Sequence, residues 1–129
     1  MYSAREVMGT NPINLGVRFL LEMAALLIIG MWGWRQGGGM WRYALAIGAP
    51  LLMALIWGIF NVPGDPSRSG AAPVRVRGLV RLLLEVAFFA LAAGALFQMG
   101  YVLPGWIFAL AVLIHYVLSY DRIRWLLSR

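Results

Sequence analysis

The stretch Val17-Arg18-Phe19-Leu20-Leu21-Glu22-Met23-Ala24 returns 63 positions later as Val80-Arg81-Leu82-Leu83-Leu84-Glu85-Val86-Ala87. Six of the eight residues are identical, and each copy sets a carboxylate four positions after an arginine. That spacing is one turn of an α-helix. Both copies then run into more than ten uncharged, mostly apolar residues, so each reads as the start of a long apolar helix. The rest of the chain can be placed relative to these two Arg-x-x-x-Glu helices.

Composition names the solvent. The chain has 129 residues, 62% hydrophobic and only 12% charged, with a mean hydropathy of +0.79. A soluble domain of this length could not bury so much apolar surface, so lipid is the expected surroundings. There is no cysteine and a single histidine, which excludes disulfides, thiolate zinc sites, cysteine nucleophiles and bis-histidine haem within one chain. The net charge of +6 comes from eleven arginines with no lysine. These sit at the ends of apolar segments, as orientation signals do, and not on one basic face, so nucleic acid is not an expected partner.

Four helices follow from the apolar runs, at about residues 15–34, 43–60, 79–97 and 103–120, in a single all-α transmembrane domain. Each is long enough, or nearly so, to span the hydrocarbon core. Trp32, Trp34, Trp41, Trp57 and Trp106 read as interface anchors, since amphipathic rings collect where lipid meets water. Pro50, in the middle of the second helix, leaves the Ala46 carbonyl without its donor and is expected to kink it. Residues 61–78 carry Pro63, Pro66 and Pro73 with glycines and serines and read as an irregular, solvated linker. The tail from Asp121 reads as basic with an apolar face that lies along the membrane surface. Small residues four apart (Ala44/Gly48, Ala54/Gly58, Ala90/Gly94 and Gly105/Ala109) are suited to close helix approach in lipid.

Nine arginines then fall on one side of the membrane and only Arg35 and Arg42 on the other. The positive-inside rule places both termini and the central linker in the cytoplasm of a bacterial inner membrane. Because two passes separate the copies of the opening stretch, their helices run the same way. A parallel 2+2 helix repeat is the expected architecture.

Glu22 and Glu85 lie about 10 Å inside their helices, and His115 about 8 Å from the end of the fourth. All three titratable groups therefore fall in one layer, where an ionisable side chain facing lipid is costly. With Arg18 and Arg81 they form the candidate site, open to two readings. In the first, two neighbouring carboxylates handle a proton or a cation. In the second, the arginines pair with the glutamates, within a helix or across (Arg18 with Glu85, Arg81 with Glu22), and staple the halves together. A metal site would need more ligands than Glu22, Glu85 and His115 supply. No cofactor motif, phosphate loop or nucleophile set is present, so no enzymatic role is expected.

Arg18-Phe-Leu-Leu-Glu22, Gly33-Trp34, Pro50 with Trp57-Gly58-x-Phe60 and Pro63, and Arg81 to Glu85 together resemble the YrdB-like family of small bacterial membrane proteins. The likeness runs over about residues 12–120. It implies a four-helix inner-membrane protein and carries no activity, substrate or cofactor with it. Two functions remain in contention: a small, oligomeric ion- or proton-coupled transport module, and a structural or accessory subunit of a larger membrane complex. What fills the space between Glu22 and Glu85 separates them. Direct arginine contacts favour the second.

Overall fold

Pro12 opens the first helix, where its missing N–H and fixed φ cost nothing. The computed structural model describes residues 12–36, 38–65 and 72–129. Helix α1 is Pro12–Gln36 and α2 is Met40–Ile59. A two-residue strand β1 (Phe60–Asn61) and its partner β2 (Val74–Arg75) bracket the linker, and α3 is Gly78–Gln98. Helix α4 is Val102–Leu118 and α5 is Tyr120–Leu127. Arg5, Gly37, Pro66 and Arg68, which enter the charge and linker readings above, lie outside the described residues.

Among the described residues, the regular structure is thus all-helical apart from one short parallel ladder. Helices α1, α2 and α3 are each long and apolar enough to cross a membrane, and α4 with α5 would make a fourth span if the bent pair counts as one. Large apolar side chains such as Leu27, Ile47, Leu103 and Leu113 point outward, as they do in helical membrane bundles. The α3–α4 turn closes with a Schellman pair: Gly100 N–H donates to Phe97 O (3.0 Å) and Tyr101 N–H to Leu96 O (2.9 Å). Gly100 supplies the positive φ of 89° that this ending requires.

Helix α3 is central. Its buried stripe runs Arg81, Glu85, Phe88, Phe89, Ala92, Ala95 and Leu96, the three- and four-residue spacing of one helical face. Phe88 stacks on Trp57 of α2 (5.3 Å, 20° between planes) and Phe89 meets the same indole edge-on. Trp57 is therefore a core residue and not the interface anchor read from its position near a helix end. Of the other tryptophans read as anchors, Trp34, Trp41 and Trp106 are exposed and Trp32 is half-buried.

Close helix contacts do not use most of the small-residue pairs. Ala44/Gly48, Ala54/Gly58 and Ala90/Gly94 face outward, and a methyl added at Gly48, Gly58 or Gly94 would meet nothing within 4 Å. Of the four pairs only Gly105/Ala109 turns inward, with Gly105 against the Phe97 ring. Spacing identifies a pair but not the face it lies on. The tight seats are elsewhere. Gly33 lies directly on the Leu45 carbonyl, and Gly30 on the Ala46 carbonyl beside Pro50. The proline removes the helical donor for that Ala46 oxygen, and this turn of α2 is where α1 approaches. Helix α2 runs on through Pro50 without a break.

Two further segments differ from the sequence reading. The linker is not wholly solvated: Asn61, Val62 and Asp65 are buried. Phe60 pairs with Val74, Asn61 with Arg75, and Val76 N–H donates to Asn61 O (3.1 Å). A few ladder bonds satisfy the backbone polar groups that burial would otherwise strand. The fourth helix does not run on to residue 120. It stops at Leu118, and α5 leaves at 69° to α4, held by Ser119, whose hydroxyl exchanges hydrogen bonds with the Asn14 amide at 2.9 and 3.1 Å.

Helix α5 folds back onto the start of α3, where Gly78 sits against the Leu126 backbone so closely that a methyl there would overlap the Leu126 carbonyl. Since backbone and not a flexible side chain must yield, Gly78→Ala is expected to destabilise the protein by about 1–3 kcal/mol or more. Unfolding by SDS titration in mixed micelles measures this; a variant with unchanged stability would mean that α5 does not dock there.

Candidate functional site

Three helices and the linker bring charged side chains to one point at the arginine-rich end. Arg18 and Glu22 come from α1, Arg81 and Glu85 from α3, Arg122 from α5 and Asp65 from the linker. Both Arg-x-x-x-Glu pairs form within their own helices: Arg18 Nε is 3.1 Å from Glu22 Oε1, and Arg81 Nε is 2.7 Å from Glu85 Oε2. The two are not equivalent, because Glu85 is the hub.

Its carboxylate is contacted on both oxygens. Arg18 Nη2 reaches Oε2 across helices at 2.8 Å. Arg122 grips it as a fork, Nη1 to Oε1 at 3.0 Å and Nη2 to Oε2 at 2.9 Å, and Tyr116 donates its phenol to Oε1 at 2.9 Å. Two parallel N–H···O bonds of this kind fix orientation as well as energy. Arg122 Nη2 also bonds Asp65 Oδ2 at 2.6 Å. Arg81, fully buried, uses Nη1 on the carbonyls of Trp57 (2.6 Å) and Phe60 (2.8 Å). Those oxygens lie at the end of α2, where helical partners run out and cations are favoured. The Arg81 guanidinium also lies 4.9 Å over the Trp57 ring.

Among the described residues, three guanidiniums (Arg18, Arg81, Arg122) thus meet three carboxylates (Glu22, Glu85, Asp65). Burial of single charges at this depth would cost several kcal/mol each; mutual ion pairing and the hydrogen bonds above offset it. The Glu85 side chain has 0% of its surface exposed and that of Glu22 15%. Glu22 borders a cavity of about 190 Å³ between α1 and α2, walled by Leu26, Met53, Trp57 and Phe89.

Of the sequence candidates, Arg18, Glu22, Arg81 and Glu85 come together as one cluster. Arg81 pairs with Glu85 and not with Glu22, while Arg18 touches both glutamates. His115 is buried beside Tyr116, ring centroids 5.7 Å apart, and its Nε2 has no hydrogen-bond partner among the described residues; it bonds neither glutamate. Among the described residues no three His, Cys, Asp or Glu side chains are grouped so as to hold a metal ion. Sequence reading missed Arg122, Asp65 and Tyr116. A signal existed for Arg122: it shares the buried face of α5 with Leu126, four residues on, so an arginine sits on the apolar stripe of an amphipathic helix.

The asymmetry gives a direct test. Glu85→Gln leaves three buried guanidiniums short of a partner and should cost about 3–5 kcal/mol. Glu22→Gln, with Arg18 still held by Glu85, should cost about 1 kcal/mol. Equal losses in SDS-titrated unfolding would show that Glu85 is not the hub.

A family model described as a protein of unknown function (DUF2568) matches residues 16–113. The uncharacterized protein YrdB of Bacillus subtilis (strain 168) is 39% identical over 120 residues, covering 92% of this chain and 97% of that protein. No solved structure matches the chain.

Proposed function

The chain belongs to the YrdB-like DUF2568 family, and from that premise we propose that it is a structural or accessory subunit of a larger membrane assembly. One observation carries this reading. The space between Glu22 and Glu85 is taken by Arg18, which lies 3.1 Å from one carboxylate and 2.8 Å from the other. A carboxylate already engaged by three guanidiniums and a phenol offers a transported proton or cation little to bind. In this reading the cluster locks α1, α3 and α5 and the chain is not an enzyme.

The outward small-residue pairs support a docking role. Ala90 and Gly94 line a lateral groove of about 840 Å³ between α2 and α3, with Trp32, Leu52 and Leu91. Small residues let helix backbones approach in lipid, where apolarity alone gives no drive, so a partner's transmembrane helix fits this groove. The orientation belongs to the same proposal. Among the described residues seven arginines lie at the cluster end and Arg35 and Arg42 at the other, which favours a bacterial inner membrane with both termini cytoplasmic. The shared direction of the two Arg-x-x-x-Glu helices supports a 2+2 repeat in a four-span bundle.

Oligomeric ion- or proton-coupled transport is the competing reading, and what favours it is Glu22, which borders a cavity and keeps some exposure. Proton flux into proteoliposomes that falls with Glu22→Gln would support it. For the accessory role, the native protein extracted in mild detergent should co-purify with a stoichiometric membrane partner. Gly94→Leu should release that partner without loss of fold. A lone, monodisperse homo-oligomer would contradict the assignment.

A further inference from the structure

A second lateral groove, of about 360 Å³, lies between α3 and α4, and α5 closes it at the arginine-rich end. Its walls include Leu82, Val86 and Ala93 of α3, Val112 and Leu113 of α4, and Ile123 of α5. Tyr116 also borders it, but the Tyr116 hydroxyl donates to Glu85 at 2.9 Å, so the groove offers hydrocarbon contact. Leu82 and Ala93 stand about 16 Å apart along α3, close to the roughly 15 Å of hydrocarbon in one leaflet. A groove of that length suits an acyl chain, whereas a transmembrane helix would need the full depth of the bilayer.

Charge at the foot of the groove decides which lipid fits. Arg124 follows Ile123 on α5, and Arg77 caps the start of α3, just before the Gly78 that rests on the Leu126 backbone. Both arginines therefore lie within two residues of the contact between α3 and α5. Both are exposed, and among the described residues neither is paired with a carboxylate. Arg124 Nη1 donates to the Tyr120 hydroxyl at 2.9 Å, with the guanidinium 5.5 Å over that ring. A guanidinium carries five N–H donors, so this contact leaves others for a phosphate, whose oxygens match the planar fork. We propose that the groove binds one anionic phospholipid, with an acyl chain along α3 and α4 and the phosphate held by Arg77 and Arg124. The site draws on neither the partner helix nor the membrane orientation of the accessory role.

Native mass spectrometry of the protein in mild detergent, titrated with palmitoyl-oleoyl phosphatidylglycerol or with phosphatidylcholine of the same chains, tests the site. One phosphatidylglycerol per chain should bind, about 25-fold tighter than the choline lipid, from about fivefold for each arginine beside an anionic lipid. Arg77→Gln and Arg124→Gln should each remove their fivefold share, and the double variant should bind both lipids alike. Arg42→Gln, which changes an exposed arginine at the opposite end, should leave both affinities as they were. Ala109→Leu, which fills the groove away from the arginines, should weaken both lipids about tenfold, the loss of two buried methylenes. Equal affinity for the two lipids, a preference that survives the double variant, an equal loss with Arg42→Gln, or affinities untouched by Ala109→Leu would each overturn the assignment. Should Ala109→Leu not fold, dihexanoyl phosphatidylglycerol replaces it as the test of the groove. Its chains are too short to fill the groove, so binding as tight as that of the long-chain lipid would equally overturn the site.

Discussion

Everything at the arginine-rich end depends on one carboxylate. Glu85 is removed from water and compensated by Arg18, Arg81, Arg122 and the Tyr116 phenol. In a low-dielectric setting such contacts are strong, and an unmet charge is correspondingly expensive. This makes the cluster exacting. Each arginine must arrive from its own element at bonding distance, so the position of Glu85 constrains α1, α3 and α5 together. Asp65 extends the constraint to the linker through Arg122, and Arg81 extends it to the end of α2 through the Trp57 and Phe60 carbonyls.

The apolar packing beneath the cluster is arranged so that these arrivals are feasible. Glycines, and not the outward small pairs, set the closest backbone approaches: Gly30 and Gly33 seat α1 on the Leu45–Ala46 turn of α2, and Gly78 lets α5 lie on α3. Ser119 ends α4 and, bonded to Asn14, turns the chain so that Arg122 points inward. In lipid, helices gain little by hiding apolar surface from one another. A polar lock together with close glycine seats is a physically reasonable substitute. The outer surface then stays free for lipid.

Much of this was legible in the sequence. Long apolar runs gave the helices because their length and hydropathy are local properties. The repeated Arg-x-x-x-Glu gave four of the cluster's members, since a turn of helix is enough to place them. What stayed hidden depends on direction in space. Asp65 sits among prolines and glycines, where solvation is the ordinary expectation, and only a two-residue ladder brings it inside. Arg122 follows a 69° break whose location rests on Ser119 meeting Asn14, 105 residues away in sequence. Trp57 looked like an interface ring because helix ends usually lie at interfaces; here Arg81 and Phe88 cover it. Small-residue spacing, likewise, does not say which face it occupies.

The ion pair across helices, and not the pair within a turn, holds the bundle. A double-mutant cycle on Arg18 and Glu85, using Arg18→Met and Glu85→Gln with unfolding followed by SDS titration, measures it most directly. A coupling energy of about 1.5–3 kcal/mol between α1 and α3 is expected, larger than the coupling from the same cycle on Arg18 and Glu22. A coupling below about 0.5 kcal/mol, the level of independent sites, would contradict it.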